Sequence, residues 1–588
     1  MLETFSELMR EGESMGVDVT IRVGGQAGQG TQSVSFVMGK IFTHHGYYAF
    51  MNQDVESRIR GGHNFNQIRI KNAPVEAVSN DVHLLVALDQ GTIEQDLPSL
   101  VEDGVMIFDG SRLNFHSTQP NHVSVPLEEL AVKAGKSKIM VNSVATGAAL
   151  ACLGFEIQPL LDRLGVEFRN KGKDIVENNR NSAVAGYQYF KDHFKGVCPH
   201  TIPFAPATGK KMLLTGSQAM ALGAICSGLK FYAGYPMSPS TSIMEFIASM
   251  AQEYGIVLEP AEDEIAAINM AIGASFTGAR AMTATSGGGF CLMVEGLGLA
   301  GMTETPVVVV VAQRPGPSTG FPTRTEQADL RFVIHAAHGE FPRAVFAPGN
   351  AEEAFLLMGK AFNMADRYQT PVIVLGDQHL NDSFFTVDEI DLGQVKVDRG
   401  DILAEGEMLH GKDYKRYAWR ESGVSPRILP GHPGAVLYAD SDEHTEAGHI
   451  TESADVRKKM VVKRMKKLEG MKKEMRPPSL YPGEKADIVL VGWGSTHGAM
   501  KEAAAILNAD GISVQWLHFS EVFPFPPGDF IKNLGGDAKI FAVEQNYTGQ
   551  FADMFSFETG LRIFHKILKY DGRPFSSRDI VTRVKEKI

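Results

Sequence analysis

Residues 259–289 read EPAEDEIAAINMAIGASFTGARAMTATSGGG, which predicts a helix, a strand and a glycine turn in immediate succession. Three carboxylates, Glu262, Asp263 and Glu264, stand at the start of a segment that is apolar on nearly all faces. Acidic residues in a first turn usually cap the helix dipole in solvent, but a helix that is apolar all round is buried. We therefore expect at least one of these carboxylates at a buried helix mouth. The triple glycine after the strand permits close approach of a ligand or partner to the backbone.

Alternating strand and helix patterns continue along the chain and predict an α/β protein with three doubly wound, mostly parallel domains in series. Short β-branched runs predict strands, for example at residues 17–23, 138–141 and 306–312. Two stretches break the alternation, one rich in proline and small residues and one rich in charge. The predicted parts are an N-terminal domain at 1–196, a linker at 197–211, a second domain at 212–386, a charged connecting region at 387–484 and a C-terminal domain at 485–588.

Size and charge exclude several classes of protein. At 588 residues the chain exceeds what one hydrophobic core organises, and its formal net charge of −12 argues against nucleic acid or an anionic membrane as a partner. No apolar run approaches the length that crosses a bilayer. The first residues, MLETFSELMREGES, lack the basic and apolar blocks of a signal peptide. These features predict a cytoplasmic protein.

Only four cysteines occur, and none of them forms a CxxC pair. They are too scattered to build a zinc ribbon or to ligate a whole iron–sulfur cluster, and no metal site is predicted. If the protein takes part in electron transfer, the cluster lies mostly or wholly on another chain. The cysteines are Cys152, Cys198, Cys226 and Cys291.

The first glycine turn, GGQAGQG, follows a strand and opens a helix. Gly25, Gly28 and Gly30 would let backbone N–H groups approach an anion there, as in a nucleotide or CoA site. The spacing is GxxGxG and not GxGxxG, so a tight turn without a ligand is equally well supported. Downstream, Arg58 and Arg60 stand just before the glycines of RGGHNF, residues 60–65. Spacing alone favours a solvated loop there over a subunit contact or a site for the phosphates of CoA.

Residues 231–242 read FYAGYPMSPSTS, a strand followed by a proline-stiffened loop and a helix start. The default role of a hydroxyl here is to cap the helix. Two prolines, Pro236 and Pro239, flank Ser238 and restrict where its hydroxyl points. That restriction indicates a function for Ser238 beyond capping.

The succession AGYPMSPST, EDEIAAINMAIGAS, GARAMTATSGGGF and VVVAQRPGPSTGFPTRTEQADL resembles the alpha subunit of the 2-oxoacid:ferredoxin oxidoreductases. The similarity continues through VLVGWGST and VEQNYTGQ near the C-terminus. The first domain, with GGQAGQG and RGGHNF, is similar to the gamma subunit of the family. The resemblance implies a gamma–alpha fusion over nearly the whole chain: a gamma-type domain at 1–196, a thiamine-diphosphate pyrimidine-binding domain at 212–386 and a transketolase C-terminal-like domain at 485–588.

The resemblance also implies roles for single residues. Glu264 aligns with the glutamate that contacts the aminopyrimidine of thiamine diphosphate, and Glu262 is the alternative because the acidic triplet blurs the register. A buried carboxylate suits this task, since it hydrogen-bonds a ring nitrogen and helps to activate the cofactor. The cofactor-binding residues implied are Tyr235, Pro236, Glu264, Ser286 and Gly287.

Substrate contacts are implied for four residues. Ser238 occupies the position of a threonine in the YPxTP loop of the family, a change that keeps the hydroxyl. Arg314 aligns with the arginine that pairs with the substrate carboxylate, for which a guanidinium fork is well shaped. Thr323 and Arg324 fall where side chains face the distal part of the substrate. Structural ion pairs are the alternative role for both arginines.

As the resemblance has it, the enzyme is active only with a beta subunit, which carries a [4Fe–4S] cluster and the Mg²⁺-diphosphate site. This agrees with the scattered cysteines and with the absence of a GDG motif from the sequence. The implied reaction is CoA-dependent oxidative decarboxylation with electrons passed to ferredoxin, or its reverse, the reductive carboxylation of the reductive TCA cycle. A heterotetramer, a dimer of alpha–beta pairs, is the implied assembly.

2-Oxoglutarate is the predicted substrate, because the STGFPTRTEQAD loop is most similar to 2-oxoglutarate or broad-range members and carries cations that suit a second carboxylate. Branched-chain 2-oxoacids come second and pyruvate third, and an arylpyruvate enzyme would need a more apolar distal pocket. Two interpretations come from other classes. A nucleotide-dependent dehydrogenase would explain the glycine turns, and a non-catalytic scaffold subunit would explain the cysteines. The order of the motifs favours the oxidoreductase.

A lysine-rich segment at residues 454–475 predicts a helix with one apolar side, formed by Met460, Met465, Leu468, Met471 and Met475. The preferred interpretation is a packed helix with a solvated basic face. The alternative is a docking face for an acidic ferredoxin that includes Lys463, Lys466 and Lys467.

Overall fold

A computed structural model describes residues 16–58, 61–403, 414–432, 436–481, 485–534 and 537–588. The chain divides into two compact units. Unit 1 comprises the described residues up to Leu213 together with Phe384–Glu389, and unit 2 comprises the described residues of Leu214–Ser383 and Ile390–Ile588. The α/β class predicted from the sequence is confirmed, with three mixed sheets.

The elements follow one another in chain order. The strands are β1 (Asp18–Ala27), β2 (Tyr48–Asp54), β3 (Gly61–Lys71), β4 (Val82–Ala87), β5 (Leu100–Phe108), β6 (His122–Ser124), β7 (Lys211–Thr215), β8 (Leu229–Gly234), β9 (Val257–Pro260), β10 (Arg280–Thr285), β11 (Val307–Gln313), β12 (Ala344–Phe346), β13 (Pro371–Asp377), β14 (Phe384–Asp388), β15 (Ser479–Tyr481), β16 (Ile488–Trp493), β17 (Val514–Phe519), β18 (Glu521–Phe523), β19 (Lys539–Glu544) and β20 (Ile563–Leu568). The α-helices are α1 (Thr31–His44), α2 (Gln90–Asp96), α3 (Leu127–Gly135), α4 (Val141–Cys152), α5 (Gln158–Glu167), α6 (Lys173–His193), α7 (Gly216–Cys226), α8 (Thr241–Tyr254), α9 (Glu264–Phe276), α10 (Gly287–Met302), α11 (Leu330–His335), α12 (Ala351–Tyr368), α13 (Gln378–Asp382), α14 (Ala454–Glu474), α15 (His497–Ala509), α16 (Gln550–Thr559) and α17 (Ser577–Lys585).

The sheet of unit 1 has the order β6-β5-β4-β1-β3-β2-β14-β7 and is mixed, not mostly parallel. β1 pairs in parallel with β4 but antiparallel with β3, which also pairs antiparallel with β2. The cause is the short connection between β2 and β3, since parallel neighbours need a crossover of about a dozen residues. The repeated strand-helix pattern does not reveal this hairpin.

The strand predicted at residues 138–141 is wrong. A 3-10 helix, Lys138–Met140, occupies this stretch and continues into α4. The short apolar run is ambiguous by itself, and the alanine-rich residues that follow favour a helix. Glycines at Gly147 and Gly186 then bring α4 and α6 into backbone contact, because a Cβ at either position would overlap the facing chain.

In unit 2 a seven-stranded sheet, of order β18-β12-β13-β11-β10-β8-β9, holds the second predicted domain. All its pairings are parallel except that of β12 with β18. Every residue of β11 and β13 is buried, as expected for central strands covered on both faces. The predicted strand at residues 306–312 is thereby confirmed as β11.

The C-terminal part of unit 2 forms a five-stranded sheet with the order β15-β17-β16-β19-β20. Strand β18, which follows β17 along the chain, pairs instead with β12 of the central sheet. A single hydrophobic cluster therefore joins the two sheets, with members such as Trp493 and Phe519 beside Val309 and Ile373. This shared core fixes the C-terminal sheet relative to the loops that follow β8 and β11.

The lysine-rich helix α14 presents only part of the basic face expected from its sequence, with Lys458, Lys459, Lys472 and Lys473 exposed. Met460, Met471 and Met475 are buried, as predicted, but Lys463 and Lys467 are buried as well. Both ammonium groups pair with the buried Glu304 carboxylate, at 2.8 and 2.7 Å. A ferredoxin-docking face that includes these two lysines is therefore excluded.

Candidate active site

Of the three carboxylates at the start of α9, only one is buried. Glu264 is the first residue of the helix and is 3% exposed, whereas Glu262 and Asp263 are exposed. The Asp263 carboxylate caps the helix by accepting a hydrogen bond of 2.8 Å from the Ala266 N–H. Asp263 thus serves as the helix cap, which is the ordinary role of an acid at a helix start, and the Glu264 side chain points inward.

The Glu264 carboxylate lies against the first turn of α10. A Cβ at Gly289 would come within 2.6 Å of Glu264 Oε1, so only glycine leaves room for this carboxylate. Oε1 is buried and has no hydrogen-bond partner among the described residues. Burying a carboxylate oxygen without a donor is costly, which indicates that a donor comes from a bound group. A protonated ring nitrogen or amino group of a heteroaromatic ligand fits this requirement.

Only one side of α9 and α10 is packed against the sheet. Ile265 and Met270 of α9 are 50% and 40% exposed, and Leu292 of α10 is 48% exposed. The expectation that α9 is buried all round is therefore wrong for this chain alone. The exposed apolar face begins beside the buried Glu264.

The loop after β8 brings two predicted substrate residues together. Arg314 Nη1 donates a 2.7 Å hydrogen bond to the main-chain oxygen of Ser238, whose side chain is exposed. Burial lowers the pKa of Arg314 from its ordinary value. Next to them, the buried Ser286 hydroxyl lies 2.7 Å from the sulfur of Met237. Ser286 is the N-cap residue of α10, so the loop contacts the same helix end as Glu264.

The other residues of this loop have simpler positions. Tyr235 and Pro236, predicted to contact the cofactor, are exposed. Ser240 is the N-cap residue of α8, but its hydroxyl donates 2.7 Å to the Met237 carbonyl and does not cap the helix. Helix α8 thus has no side-chain cap, although capping by a hydroxyl of this loop is the default expected from the sequence. Its bond stiffens the loop instead.

Thr323 and Arg324 lie in the loop that follows β11, and both are half-buried. Arg324 packs against the C-terminal part of unit 2, where a Cβ at Gly572 would lie 3.1 Å from the Arg324 Cβ. The Thr325 N–H donates to the Gly572 carbonyl at 3.3 Å. The sequence does not predict that this loop rests on the last domain.

Two further carboxylates of the same loop, Glu326 and Asp329, are not predicted from the sequence. The Asp329 carboxylate lies on Gly287, where a Cβ would be 2.8 Å from Asp329 Cγ. Burial raises the pKa of Asp329 to about 6. Burial, with a contribution from Asp329, raises the pKa of Glu326 to about 7. The spacing of residues 325–329, TEQAD, does not predict these raised pKa values, because the loop contacts Gly287 only once the chain is folded.

The candidate residues of unit 1 form a group of their own. β1 extends through Gly25 to Ala27, so the turn is reduced to Gly28 and Gly30, both with positive φ. Arg58 is exposed and pairs with Glu56 at 3.0 Å. Arg60 lies outside the described residues.

Two features of the described residues bear on other functions. No three His, Cys, Asp or Glu side chains there are grouped closely enough to hold a metal ion. None of the helices described combines the length and apolar character of a membrane span.

Comparison with known proteins identifies the family of the chain. Residues 222–463 match the family model described as "Pyruvate flavodoxin/ferredoxin oxidoreductase, thiamine diP-bdg", and residues 20–189 match "Pyruvate ferredoxin/flavodoxin oxidoreductase". The chain is 34% identical to a 2-oxoacid:ferredoxin oxidoreductase subunit alpha of Sulfolobus sp over 94% of both chains. It is 34% identical to the 2-oxoglutarate synthase subunit KorA of Archaeoglobus fulgidus over 58% of this chain and 88% of that one.

A solved structure is also similar over nearly the whole length. It is the 2-oxoglutarate:ferredoxin oxidoreductase from Magnetococcus marinus with 2-oxoglutarate, coenzyme A and succinyl-CoA bound. The TM-score is 0.90 at 29% identity, covering 97% of this chain and 99% of that one. A match of this extent includes the gamma-like domain, the thiamine-diphosphate-binding domain and the C-terminal domain, in that order along the chain. The chain therefore belongs to the 2-oxoacid:ferredoxin oxidoreductases, as an alpha subunit with a gamma-like domain fused at its front.

Proposed function

We propose that this chain binds the aminopyrimidine of thiamine diphosphate through Glu264 and serves a 2-oxoglutarate:ferredoxin oxidoreductase. The reaction is conversion of 2-oxoglutarate and CoA to succinyl-CoA and CO₂ with electrons passed to ferredoxin, or the reverse. The observation that carries the proposal is the buried, unpartnered Glu264 Oε1 beside the glycine-lined end of α10. Thiamine diphosphate, when bound, stabilises the carbanion that a 2-oxoacid leaves after losing CO₂.

Glu264 is suited to hold a proton shared with a ring nitrogen. Its neighbour Gly289 admits no side chain, so the carboxylate keeps one position, and the buried setting strengthens its hydrogen bond. Tyr235, Pro236, Ser286 and Gly287 complete the proposed cofactor contacts. Of these, Ser286 is buried at the same helix end as Glu264.

Arg314 orients the substrate in this proposal. One N–H of its guanidinium is used by the Ser238 carbonyl, which fixes the direction of the side chain. Its remaining N–H groups suit a carboxylate as a two-point partner. The Ser238 hydroxyl supports the same carboxylate, and Thr323 and Arg324 meet the distal end of the substrate.

2-Oxoglutarate is preferred on two grounds. A second carboxylate suits a second cation, and Arg324 lies in the same loop system as Arg314. The similar structure from Magnetococcus marinus holds 2-oxoglutarate, and the relative from Archaeoglobus fulgidus is named for it. A branched-chain 2-oxoacid is the second candidate, because Glu326 and Asp329 would disfavour a dianionic substrate when ionised.

A beta subunit is the proposed partner on the exposed face of α9 and α10, and it would carry the Mg²⁺-diphosphate site and the [4Fe–4S] cluster. The apolar side chains of that face lie beside Glu264, where a cofactor shared between two chains would be covered. For unit 1 we propose that Gly25, Gly28, Gly30 and Arg58 contact CoA or a subunit. The domain limits predicted from the sequence, 1–196, 212–386 and 485–588, are also part of this proposal.

The test is an activity panel on the assembled enzyme. The chain is co-expressed with the neighbouring small subunit, purified without oxygen and assayed by CoA-dependent viologen reduction. We expect a clear preference for 2-oxoglutarate over a branched-chain 2-oxoacid and pyruvate. Preference for another acid would contradict the role of Arg324 but not that of Glu264. No reduction by a complex that contains both thiamine diphosphate and cluster would overturn the proposal.

A further inference from the structure

The VEQNYTGQ motif has no role in the proposed function, yet its side chains contact the substrate loop. We call residues 544–550 the EQN segment and residues 323–331 the substrate loop. The EQN segment begins at the end of β19 and leads into α16. Several of its contacts are to the substrate loop and not to its own domain.

The pairing is reciprocal at Gln327. Its main-chain N–H donates to the Gln545 carbonyl at 2.7 Å, and its side-chain Oε1 accepts from the Gln545 N–H at 3.1 Å. Its side-chain nitrogen donates to the Trp493 carbonyl at 2.9 Å. All of these groups are buried. The main chain and side chain of Gln327 are therefore both fixed by the C-terminal domain.

Two further side-chain amides bond the loop at Gln327 and at residues that follow it. Asn546 Nδ2 donates to the Gln327 carbonyl at 3.0 Å. Gln550 Nε2 donates to the Ala328 carbonyl at 2.6 Å, and its Oε1 accepts from the Arg331 N–H at 2.9 Å. Three residues of the loop, Gln327, Ala328 and Arg331, are thus bonded by side chains of one short segment.

The EQN segment is itself held rigidly. The buried Glu544 carboxylate accepts from the main-chain N–H groups of Phe551 and Ala552 at 2.9 and 2.8 Å, and from Asn546 Nδ2 at 2.9 Å. Asn546 Oδ1 accepts from the Gly549 N–H at 2.7 Å. A buried carboxylate at a helix N-terminus with this many donors is strongly stabilised. The loop is therefore bonded to a rigid support.

We propose that Gln327, Asn546 and Gln550 are positioning residues that set the place of the substrate loop, so that the C-terminal domain controls which 2-oxoacid the enzyme prefers. The inference rests on the proposed function, which assigns Thr323 and Arg324 to the distal end of the substrate. Gln327 lies three residues beyond Arg324 and two before Asp329, which lies on Gly287. A shift of the loop at Gln327 would move all of these side chains, and a displacement of about 1 Å costs up to about a hundredfold in rate.

Gln550→Met is the test variant, because it keeps the length of the side chain and removes both bonds to the loop. Asn508→Leu is its control: Asn508 also bonds main-chain groups, those of Ala504 and Val514, but none in the substrate loop. Gln550→Glu keeps an acceptor for the Arg331 N–H, but it loses the donor and places a carboxylate oxygen against the Ala328 carbonyl oxygen. All are assayed in the complex with the small subunit.

We expect Gln550→Met to raise KM for the preferred 2-oxoacid about tenfold. It should also reduce the ratio of kcat/KM between the preferred 2-oxoacid and the other acids. Gln550→Glu should raise KM at least as much as Gln550→Met, because its carboxylate repels the Ala328 carbonyl oxygen. Asn508→Leu should lower the Tm and leave both KM and preference unchanged. Equal losses of Tm in Gln550→Met and Asn508→Leu, with unchanged KM and preference in both, would overturn the inference.

Hydrogen–deuterium exchange of the resting complex separates this inference from the proposed function. Amides of residues 323–331 should exchange faster in Gln550→Met than in wild type or Asn508→Leu. Unchanged exchange would refute the positioning role whatever the substrate is. Faster exchange in a complex whose wild type turns over no 2-oxoacid would support the positioning of the loop and count against the proposed function alone.

Discussion

Glu264 offers the sharpest test among single side chains. Glu264→Gln keeps the shape of a buried side chain, and the described residues give its Oε1 no hydrogen bond to lose. The variant should therefore assemble normally, while its turnover falls about a hundredfold or more because the shared proton is lost. Steady-state viologen reduction of the purified complex measures this.

The adjacent Glu262 is the matched control for that variant. It is exposed, and Glu262→Gln should retain full activity. Unchanged turnover in Glu264→Gln would instead favour a non-catalytic role for the chain. A loss in Glu262→Gln alone would move the proposed cofactor contact to that residue.

The raised pKa of Asp329 predicts that the stability of the chain depends on pH. Burial raises its pKa from 3.8 to about 6. A carboxyl group whose pKa rises on folding contributes stability below its unfolded pKa, and that contribution is lost as pH rises through about 6. Asp329→Asn should remove this loss, which amounts to about 2 kcal/mol after an allowance for partial exposure.

The measurement is the Tm of the chain at pH 5 and pH 7.5, compared between wild type and Asp329→Asn. The variant should gain relative stability at the higher pH. Glu295→Gln, on the exposed side of α10, controls for the loss of one charge. An equal pH response in wild type and Asp329→Asn would show that the Asp329 carboxyl does not stay protonated above its ordinary range.

Among the elements, α14 carries the clearest prediction. Burial raises the pKa of Glu304, but Lys463 and Lys467 lower it well below its usual range. Lys463→Met removes one of the two ammonium groups that pair with the buried Glu304 carboxylate. This should lower the free energy of unfolding by about 3 kcal/mol. Lys466→Met, on the half-buried side of the same helix, should cost much less. Thermal unfolding distinguishes the two, and equal Tm values would show that the buried ion pair contributes no stability.

Sequence reasoning succeeds for the elements whose signals are local. The buried β11, the acid-headed α9 and the glycines at the start of α10 follow from runs of adjacent residues. It fails where a partner far along the chain decides, as for the burial of Lys463 against Glu304. It also fails where a local signal is ambiguous, as for the hairpin of β2 and β3 and the helix at residues 138–141.

The candidate site divides along the same line. Glu264 stands at the start of α9, where the acidic triplet points to it, and Arg314 and Ser238 follow β11 and β8, where the family resemblance points to them. Asp329 and Gln327 reach their places only because the loop after β11 folds back on α10 and on the C-terminal domain. Residue spacing contains no information about such a return.

For the whole molecule, the exposed apolar face of α9 and α10 predicts a dependence on a second chain. Leu292 is 48% exposed beside the proposed cofactor site, so Leu292→Lys should leave the Tm of the isolated chain unchanged. The buried charge would instead prevent assembly, because placing an unpaired cation in an apolar interface is costly. Val462, 45% exposed on α14, supplies the control Val462→Lys, which should co-purify with the small subunit as wild type does. Normal co-purification of Leu292→Lys would place the partner on another surface.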